Sequence, residues 1–383
     1  MPSHAKFLDA VSEAMSIKYN NRVYEMKAQG RDVIVLSLGE AFFEIPLFPM
    51  DDLPQPDIFH YSHSRGILPL RQRLAAYYRD EYRVPVDADA EIIVTSGSKI
   101  AVHMAFMAIL EPDDEVVIHE PAWVSYGEQV KLCRAVPVFV PHHVPVSQLG
   151  RYVTSRTKAI VVNNPHNPRG WVMRDGELEY LHRIARSESL FLVADEAYSD
   201  FVLPEDHFVS CATFDATKEH TIVCNSMSKN YGMSGWRIGY VIANRELIQQ
   251  LLKINQHLIT CPATVLQHYL VQHFDDVLRI TKPQIRELLE RRRVVGRHLE
   301  ALGLQALPGS STFYFFVSIA PSSLRSEDFC DRLLEEAGVC VVPGVGYGPS
   351  CDEFIRISIG AEPLDRTRRG VQAVKDLIVR TAR

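Results

Sequence analysis

Lys229 stands in the stretch Ser226-Met227-Ser228-Lys229-Asn230-Tyr231-Gly232-Met233-Ser234-Gly235-Trp236-Arg237-Ile238-Gly239-Tyr240, directly after the apolar run Thr221-Ile222-Val223-Cys224. A short apolar run bounded by turn residues reads as a buried strand, which puts the lysine at a strand end among hydroxyl and glycine residues. An amine held away from bulk water loses part of its preference for the charged form and becomes able to attack an aldehyde and form an imine. The competing reading is a lysine that pairs with a carboxylate or reaches out to solvent. Only partners elsewhere in the chain separate the two.

Other apolar runs also end on residues with distinct chemistry. Ile92-Ile93-Val94 leads into Thr95-Ser96-Gly97-Ser98-Lys99 and then a helix-like run from Ile100 to Leu110. Free backbone N–H groups and the positive dipole end at such a helix start suit a phosphate, although an ordinary capped helix begins the same way. Ala159 to Val162 is followed by Asn163-Asn164-Pro165-His166-Asn167-Pro168-Arg169-Gly170. There two Asn-Pro turns stiffen a loop and can present an amide to a ligand, or serve architecture alone. Leu190 to Ala194 ends at Asp195-Glu196-Ala197-Tyr198, a carboxylate that needs a cationic or hydrogen-bonding partner, either a salt bridge or a protonated ring nitrogen. Glu115 to His119 precedes Pro121-Ala122-Trp123, where the indole can stack on a planar ring or fill the core. Phe354-Ile355-Arg356-Ile357-Ser358 sets an arginine inside an apolar strand, where its planar fork matches a carboxylate.

The elements that must position these residues follow from the same pattern. From about 65 to 260 short apolar runs interleave with amphipathic stretches, the signature of a mostly parallel α/β sheet, whose ligands gather at the carboxyl ends of the strands. Residues 5 to 30 read as one helix, Val33 to Leu36 as a short strand, and Asp275 to Leu302 as a long helix with Arg291-Arg292-Arg293 on a solvated face. From Phe313 onward the pattern is strand-rich, through Val339 to Val342 and Phe354 to Ile359. Prolines 46, 49, 54 and 56 mark an extended crossing between units. The expected division is residues 1–48 and 276–383 in a smaller α+β domain built from both chain ends, around a large domain at 49–275.

A chain of 383 residues can bury a sizeable core, and 46% hydrophobic with 23% charged residues excludes disordered and fibrous classes. A net charge of -6 leaves no basic field for nucleic acid or an anionic membrane, and no apolar run approaches a bilayer span. Seven scattered cysteines without CxxC pairs read as reduced thiols of a cytoplasmic protein, with neither a disulfide framework nor a metal site.

Taken in order, these segments resemble the fold-type I pyridoxal-phosphate enzymes of the class I/II aminotransferase family, over roughly residues 30 to 360. The resemblance implies pyridoxal 5'-phosphate as cofactor and a ping-pong transfer of an amino group from an amino acid to a 2-oxo acid. By similarity, Lys229 forms the internal aldimine and moves the proton, Asp195 holds the pyridine nitrogen protonated, and Asn167 and Tyr198 hydrogen-bond the ring oxygen. Trp123 stacks on the ring, and Gly97, Ser98, Lys99, Ser226, Ser228 and Arg237 surround the phosphate. Tyr61 resembles the tyrosine that reaches the neighbouring subunit's phosphate, which implies a homodimer with shared active sites. Arg356, with Gly39 and Asn167, is expected to clamp the substrate α-carboxylate, and Lys99 has a second possible role in reading the distal carboxylate of a dicarboxylic donor.

The chain departs from the family pattern in places. The usual Gly-Glu-Pro-Asp-Phe-x-Thr-Pro appears as Gly39-Glu40-Ala41-Phe42-Phe43-Glu44-Ile45-Pro46, and Ser311-Thr312-Phe313-Tyr314 replaces Gly-Ala-Phe-Tyr. Arg169 takes the place of a threonine. Because the first of these stretches normally lines the substrate mouth, a bulkier or more apolar substrate is an open expectation. Another reaction on the same cofactor, such as carbon–sulfur β-elimination or oxidative biosynthetic chemistry, is the alternative. A regulator with an aminotransferase-like module would need an appended DNA-binding domain, for which the residues before the core motifs leave no room.

Overall fold

The computed structural model describes residues 3–382, so Met1, Pro2 and Arg383 at the ends of the expected small domain lie outside it. Its strands, in chain order, are β1 (Ile34–Val35), β2 (Ile92–Thr95), β3 (Glu115–His119), β4 (Val136–Val140), β5 (Thr157–Asn163), β6 (Phe191–Asp195), β7 (Thr221–Ser226), β8 (Gly239–Ile242), β9 (Tyr314–Ser318), β10 (Val339–Cys340), β11 (Val342–Pro343) and β12 (Phe354–Ser358). The α-helices are α1 (Met15–Ala28), α2 (Leu68–Tyr82), α3 (Ser98–Ile109), α4 (Tyr126–Leu132), α5 (Asp175–Ser187), α6 (Arg245–Leu258), α7 (Thr264–Ala301), α8 (Ser326–Ala337) and α9 (Leu364–Arg380).

The fold is α/β, with a seven-stranded sheet in the order β2-β8-β7-β6-β5-β3-β4. Only β8 runs antiparallel to its neighbours. Both faces are covered, which is why the strands read as continuous apolar runs. In β6, Leu192 and Ala194 pack with residues of α2, α5 and α7, whereas Val193 packs with α3 and α6 on the other face. The register pairs Asn163 with Asp195 and Asp195 with Cys224, so β5, β6 and β7 end side by side. Everything that follows these strands in sequence is therefore delivered to one edge of the sheet.

A second body holds the antiparallel sheet β11-β12-β9 and the parallel pair β1/β10, with Ile34 opposite Val339. Its core joins Tyr19 and Val23 of α1 and Ile34 of β1 to Phe329 of α8 and Val371 and Val374 of α9, so both chain ends build it.

Several local expectations change. Residues 5 to 30 are not one helix. A 3-10 turn at Lys6–Ala10 is followed by extended chain before α1, and the Ser12 amide donates to Glu128 Oε2 of α4 at 2.7 Å, a tertiary bond that outweighs helical propensity. The long helix begins at Thr264, well before Asp275, and its non-helical residue is His273, two positions from the expected boundary at 275. Arg292 is buried, not solvated. Its guanidinium lies 4.4 Å over the Phe315 ring and donates to the carbonyls of Gly309 and Tyr314. β8 was hidden because Gly239-Tyr240 reads as the tail of the lysine stretch; no crossover helix separates it from β7, since antiparallel neighbours need none.

Candidate active site

The carboxyl ends of β5, β6 and β7 open on a cavity of about 210 Å³. Lys229, Asp195, Trp123, Asn167, Tyr198 and Arg237 line it, together with Ser98, Lys99, Ser228, Gly39 and Arg356. Three expected residues do not: Gly97 flanks the wall, Ser226 sits behind it accepting the Ser228 amide at 2.9 Å, and Tyr61 lies outside on the surface, 87% exposed.

Lys229 sits on the connection between β7 and β8, which closes on itself where the Met227 amide meets the Ile238 carbonyl at 3.0 Å. Its Nζ donates to the Gly39 carbonyl and lies 5.7 Å over the Tyr198 ring. Desolvation pushes the amine down to about 8; Glu40 opposes this, while the positive charges of Arg356 and Arg237 add to it. The sign is that of a lysine depressed in the folded state: the neutral amine is present above about 8, and near pH 7 roughly a tenth of molecules carry it. Labelling of cofactor-free protein by an amine-reactive reagent, followed at the Lys229 peptide by mass spectrometry, should therefore rise through a midpoint near pH 8. A midpoint at the ordinary 10.5 would show that desolvation does not act on this amine.

Asp195 ends β6 with its carboxylate buried, and burial raises its pKa. Oδ2 accepts the Tyr126 hydroxyl at 2.6 Å and Oδ1 the Ala197 amide at 3.2 Å, which stabilise the charged form. Tyr126 was missed by sequence reasoning; its only signal was its position three residues after Trp123, at the start of α4. Trp123 packs edge-on against it at 5.1 Å between ring centroids. Asn163, also missed, donates to the Asp195 carbonyl at 2.9 Å and accepts the Asn167 amide at 2.7 Å, tying the 163–170 loop to β6.

At the other end of the cavity, Gly97 adopts φ +91 and α3 starts at Ser98 with no side-chain cap on its first amides. A Cβ at Gly97 would lie 2.5 Å from Arg237 Nη2, so only glycine lets the guanidinium come this close. Arg237 donates to Ser228 Oγ at 3.2 Å. Uncapped amides, a hydroxyl and a guanidinium at a helix N-terminus are the donor set of a phosphate site.

Arg356 projects from β12 and is 2% exposed. Nη2 donates to the Ser37 carbonyl at 2.6 Å, Nη1 reaches Asn167 Oδ1 at 3.5 Å, and Nε has no partner. Its guanidinium carbon lies 4.5 Å from the Tyr314 ring. With no carboxylate of the described chain pairing it, this buried cation has the chemistry of a carboxylate receptor. The Tyr198 hydroxyl is 2.8 Å from that of Tyr314, a wall residue that the sequence offered only within the divergent 311–314 stretch. Ser16 and Asn20 of α1 also line the cavity.

The stretch Ala41 to Ile45 was expected at the substrate mouth, and among the described residues it contributes no wall to this cavity. Phe43 stacks on Phe201 at 6.2 Å, and Phe43 and Ile45 press on Gly232, in the turn that carries Lys229. Phe43 and Ile45 thus pack behind the lysine, whereas Phe42 is 63% exposed.

The model of the family aminotransferase class I and II matches residues 31–374. The chain belongs to that family. This aminotransferase is 31% identical to the aspartate aminotransferase of Pyrococcus abyssi over 92% of its own length and 95% of the relative's. It is 30% identical to aromatic-amino-acid aminotransferase 2 of Thermococcus litoralis, covering 91% and 94% of the two chains. The solved structure of Thermus thermophilus aspartate aminotransferase with maleate superimposes with a TM-score of 0.88 at 31% identity, over 98% of this chain and 100% of that one. The protein is a pyridoxal-phosphate-dependent enzyme of amino-group transfer, and its cavity fits that cofactor: an amine, a buried carboxylate and a phosphate donor set face one space.

Proposed function

We propose that this aminotransferase takes a dicarboxylic L-amino acid such as aspartate as donor, with the residues of the cavity in the following roles. Pyridoxal phosphate, when bound, supplies an aldehyde carbon for imine exchange and a conjugated ring that accepts the electron pair left at the substrate α-carbon. Lys229 would supply the amine that holds the cofactor between turnovers, and its Nζ would take the proton from the substrate α-carbon and pass it to the cofactor's aldehyde-derived carbon. Asp195, whose charged form the Tyr126 hydroxyl favours against burial, would pair with the ring nitrogen. Arg237, Ser228 and the amides opening α3 hold the phosphate, with Ser226 and Gly97 shaping that end. Trp123 would stack on the ring, Asn167 and Tyr198 would hydrogen-bond its oxygen, and Arg356 would orient the α-carboxylate beside Gly39 and Asn167. One amino acid and one 2-oxo acid exchange their amino and oxo groups, with no net redox change.

The observation that supports amino-group transfer here is the meeting of Lys229, Asp195, Arg237 and Arg356 in one cavity, and Lys99 in the same wall is what turns the reading toward a dicarboxylic donor. Mixing the holoenzyme with L-aspartate alone should bleach its visible absorption band, and 2-oxoglutarate should restore it. Steady release of ammonia without any 2-oxo acid would replace transamination by elimination.

Lys99 reads the distal carboxylate of the donor. Its Nζ lies 5.3 Å from the Trp123 ring, and burial, then Arg237, lowers its pKa. Lys99→Met should reduce kcat/KM for aspartate by roughly 10–100-fold, the size of a charged hydrogen bond of about 1.5–3 kcal/mol, and leave alanine almost unaffected. Equal losses for both donors would return Lys99 to the phosphate, the first of its two expected roles, beside Arg237.

The working unit proposed is a cytoplasmic homodimer in which Tyr61 serves the partner's phosphate. Exposed Tyr61 and Phe59, at 87% and 75%, and seven free cysteines support it. The partition at 48/49 and 275/276 into a large and a small domain belongs to the same proposal.

A further inference from the structure

Glu120 follows β3 and precedes Pro121-Ala122-Trp123; it is 2% exposed, and among the described residues no lysine or arginine acts on its carboxylate. Its Oε2 accepts both the amide of Ser350, at 3.0 Å, and the Ser350 hydroxyl. His142 Nδ1 lies 3.1 Å from the same hydroxyl. Two residues along, the Ala122 amide donates to the Tyr347 carbonyl at 2.7 Å. Gly348 makes room for this approach: a Cβ there would fall 2.4 Å from the Glu120 carboxyl carbon, on a backbone with φ +140. A buried carboxylate with no lysine or arginine partner, faced by the His143 imidazole and the Ser350 donors, is a costly way to fill space, and an apolar side chain would serve packing alone as well.

Of the two loops joined in this way, one carries a wall of the cavity and the other lies behind Arg356. The Glu120 loop bears Trp123 and runs into Tyr126, which holds Asp195. The loop from Gly344 to Cys351 bears Tyr347, whose buried ring lies 5.4 Å from the Arg356 guanidinium carbon.

We propose that Glu120 is a positioning residue whose clasp on Ser350 locks the cofactor-stacking loop of Trp123 to the loop that supports Arg356, so that cofactor and donor carboxylate are held in register. The proposal rests on the roles given above to Trp123 and Arg356.

The test compares Glu120→Ala, Ser350→Ala, the double variant and Glu120→Gln as holoenzymes, measuring the pyridoxal phosphate dissociation constant, KM and kcat for L-aspartate, and the melting midpoint. Each alanine variant should weaken cofactor retention and raise KM, both by about tenfold, as broken contacts between paired residues do. The double variant should be no worse than the poorer single one, kcat should stay within about threefold, and Glu120→Gln, which can still accept the Ser350 amide, should recover most of the loss. Additive losses in the double variant, or a melting shift with an unchanged dissociation constant, would overturn the clasp. If the wild type does not exchange with L-aspartate, the proposed donor fails, while the cofactor dissociation constants still decide for or against Glu120.

Discussion

Lys229→Ala should lower amino-group transfer by at least roughly 10⁴-fold, the upper range for one positioned proton-transfer group, because the variant loses the covalent anchor as well. The cavity contains no substitute amine within the same turn: Lys99 lies on α3, beside Trp123 and toward Arg237. Borohydride treatment followed by peptide mass spectrometry should find pyridoxyl-lysine at residue 229 in the wild type and none in the variant. Added methylamine should restore part of the activity, since a small free amine can stand in for the missing proton carrier. Retention of activity within tenfold of the wild type would remove Lys229 from the chemistry.

Arg356→Gln is the second large effect. A carboxylate bound by a buried, hydrogen-bonded guanidinium loses about 2–5 kcal/mol when that cation is removed, so kcat/KM should fall by roughly 30- to 5000-fold. Most of the loss should appear in KM. It should strike aspartate, alanine and phenylalanine alike, because every amino acid carries the α-carboxylate, and this generality separates Arg356 from Lys99. Arg356→Lys should not rescue fully, since an ammonium lacks the planar fork and the stacking on Tyr314. Melting curves of both variants control for the packing of Arg356 between Tyr314 and Tyr347. A loss confined to dicarboxylic donors would assign Arg356 to the distal group instead.

The residues of the cavity divide by how far their partners lie along the chain. Asp195, Lys229 and Asn167 were legible because each follows an apolar run, and in a parallel sheet the ends of such runs share one edge. Gly97 and Ser98 were legible for a related reason, a glycine turn between strand and helix. Tyr126 and Tyr314 were not, since a tyrosine inside a helix start or a strand carries no local mark of what its hydroxyl meets. The Ala41 to Ile45 stretch misled for the opposite reason: its composition was plain, but composition cannot tell a wall of the cavity from packing behind Lys229.

By itself the sequence determined the alternation of strands and helices, the family and the residue types available at the strand ends, because periodicity and turn chemistry act over a few positions. Only the tertiary structure decided that Gly39 faces Lys229, that Ser37 and Asn167 hold Arg356, and that Glu120 reaches Ser350. Such contacts join positions far apart in the chain, and they depend on the path of the connections and the packing of one body against the other, which no local pattern encodes.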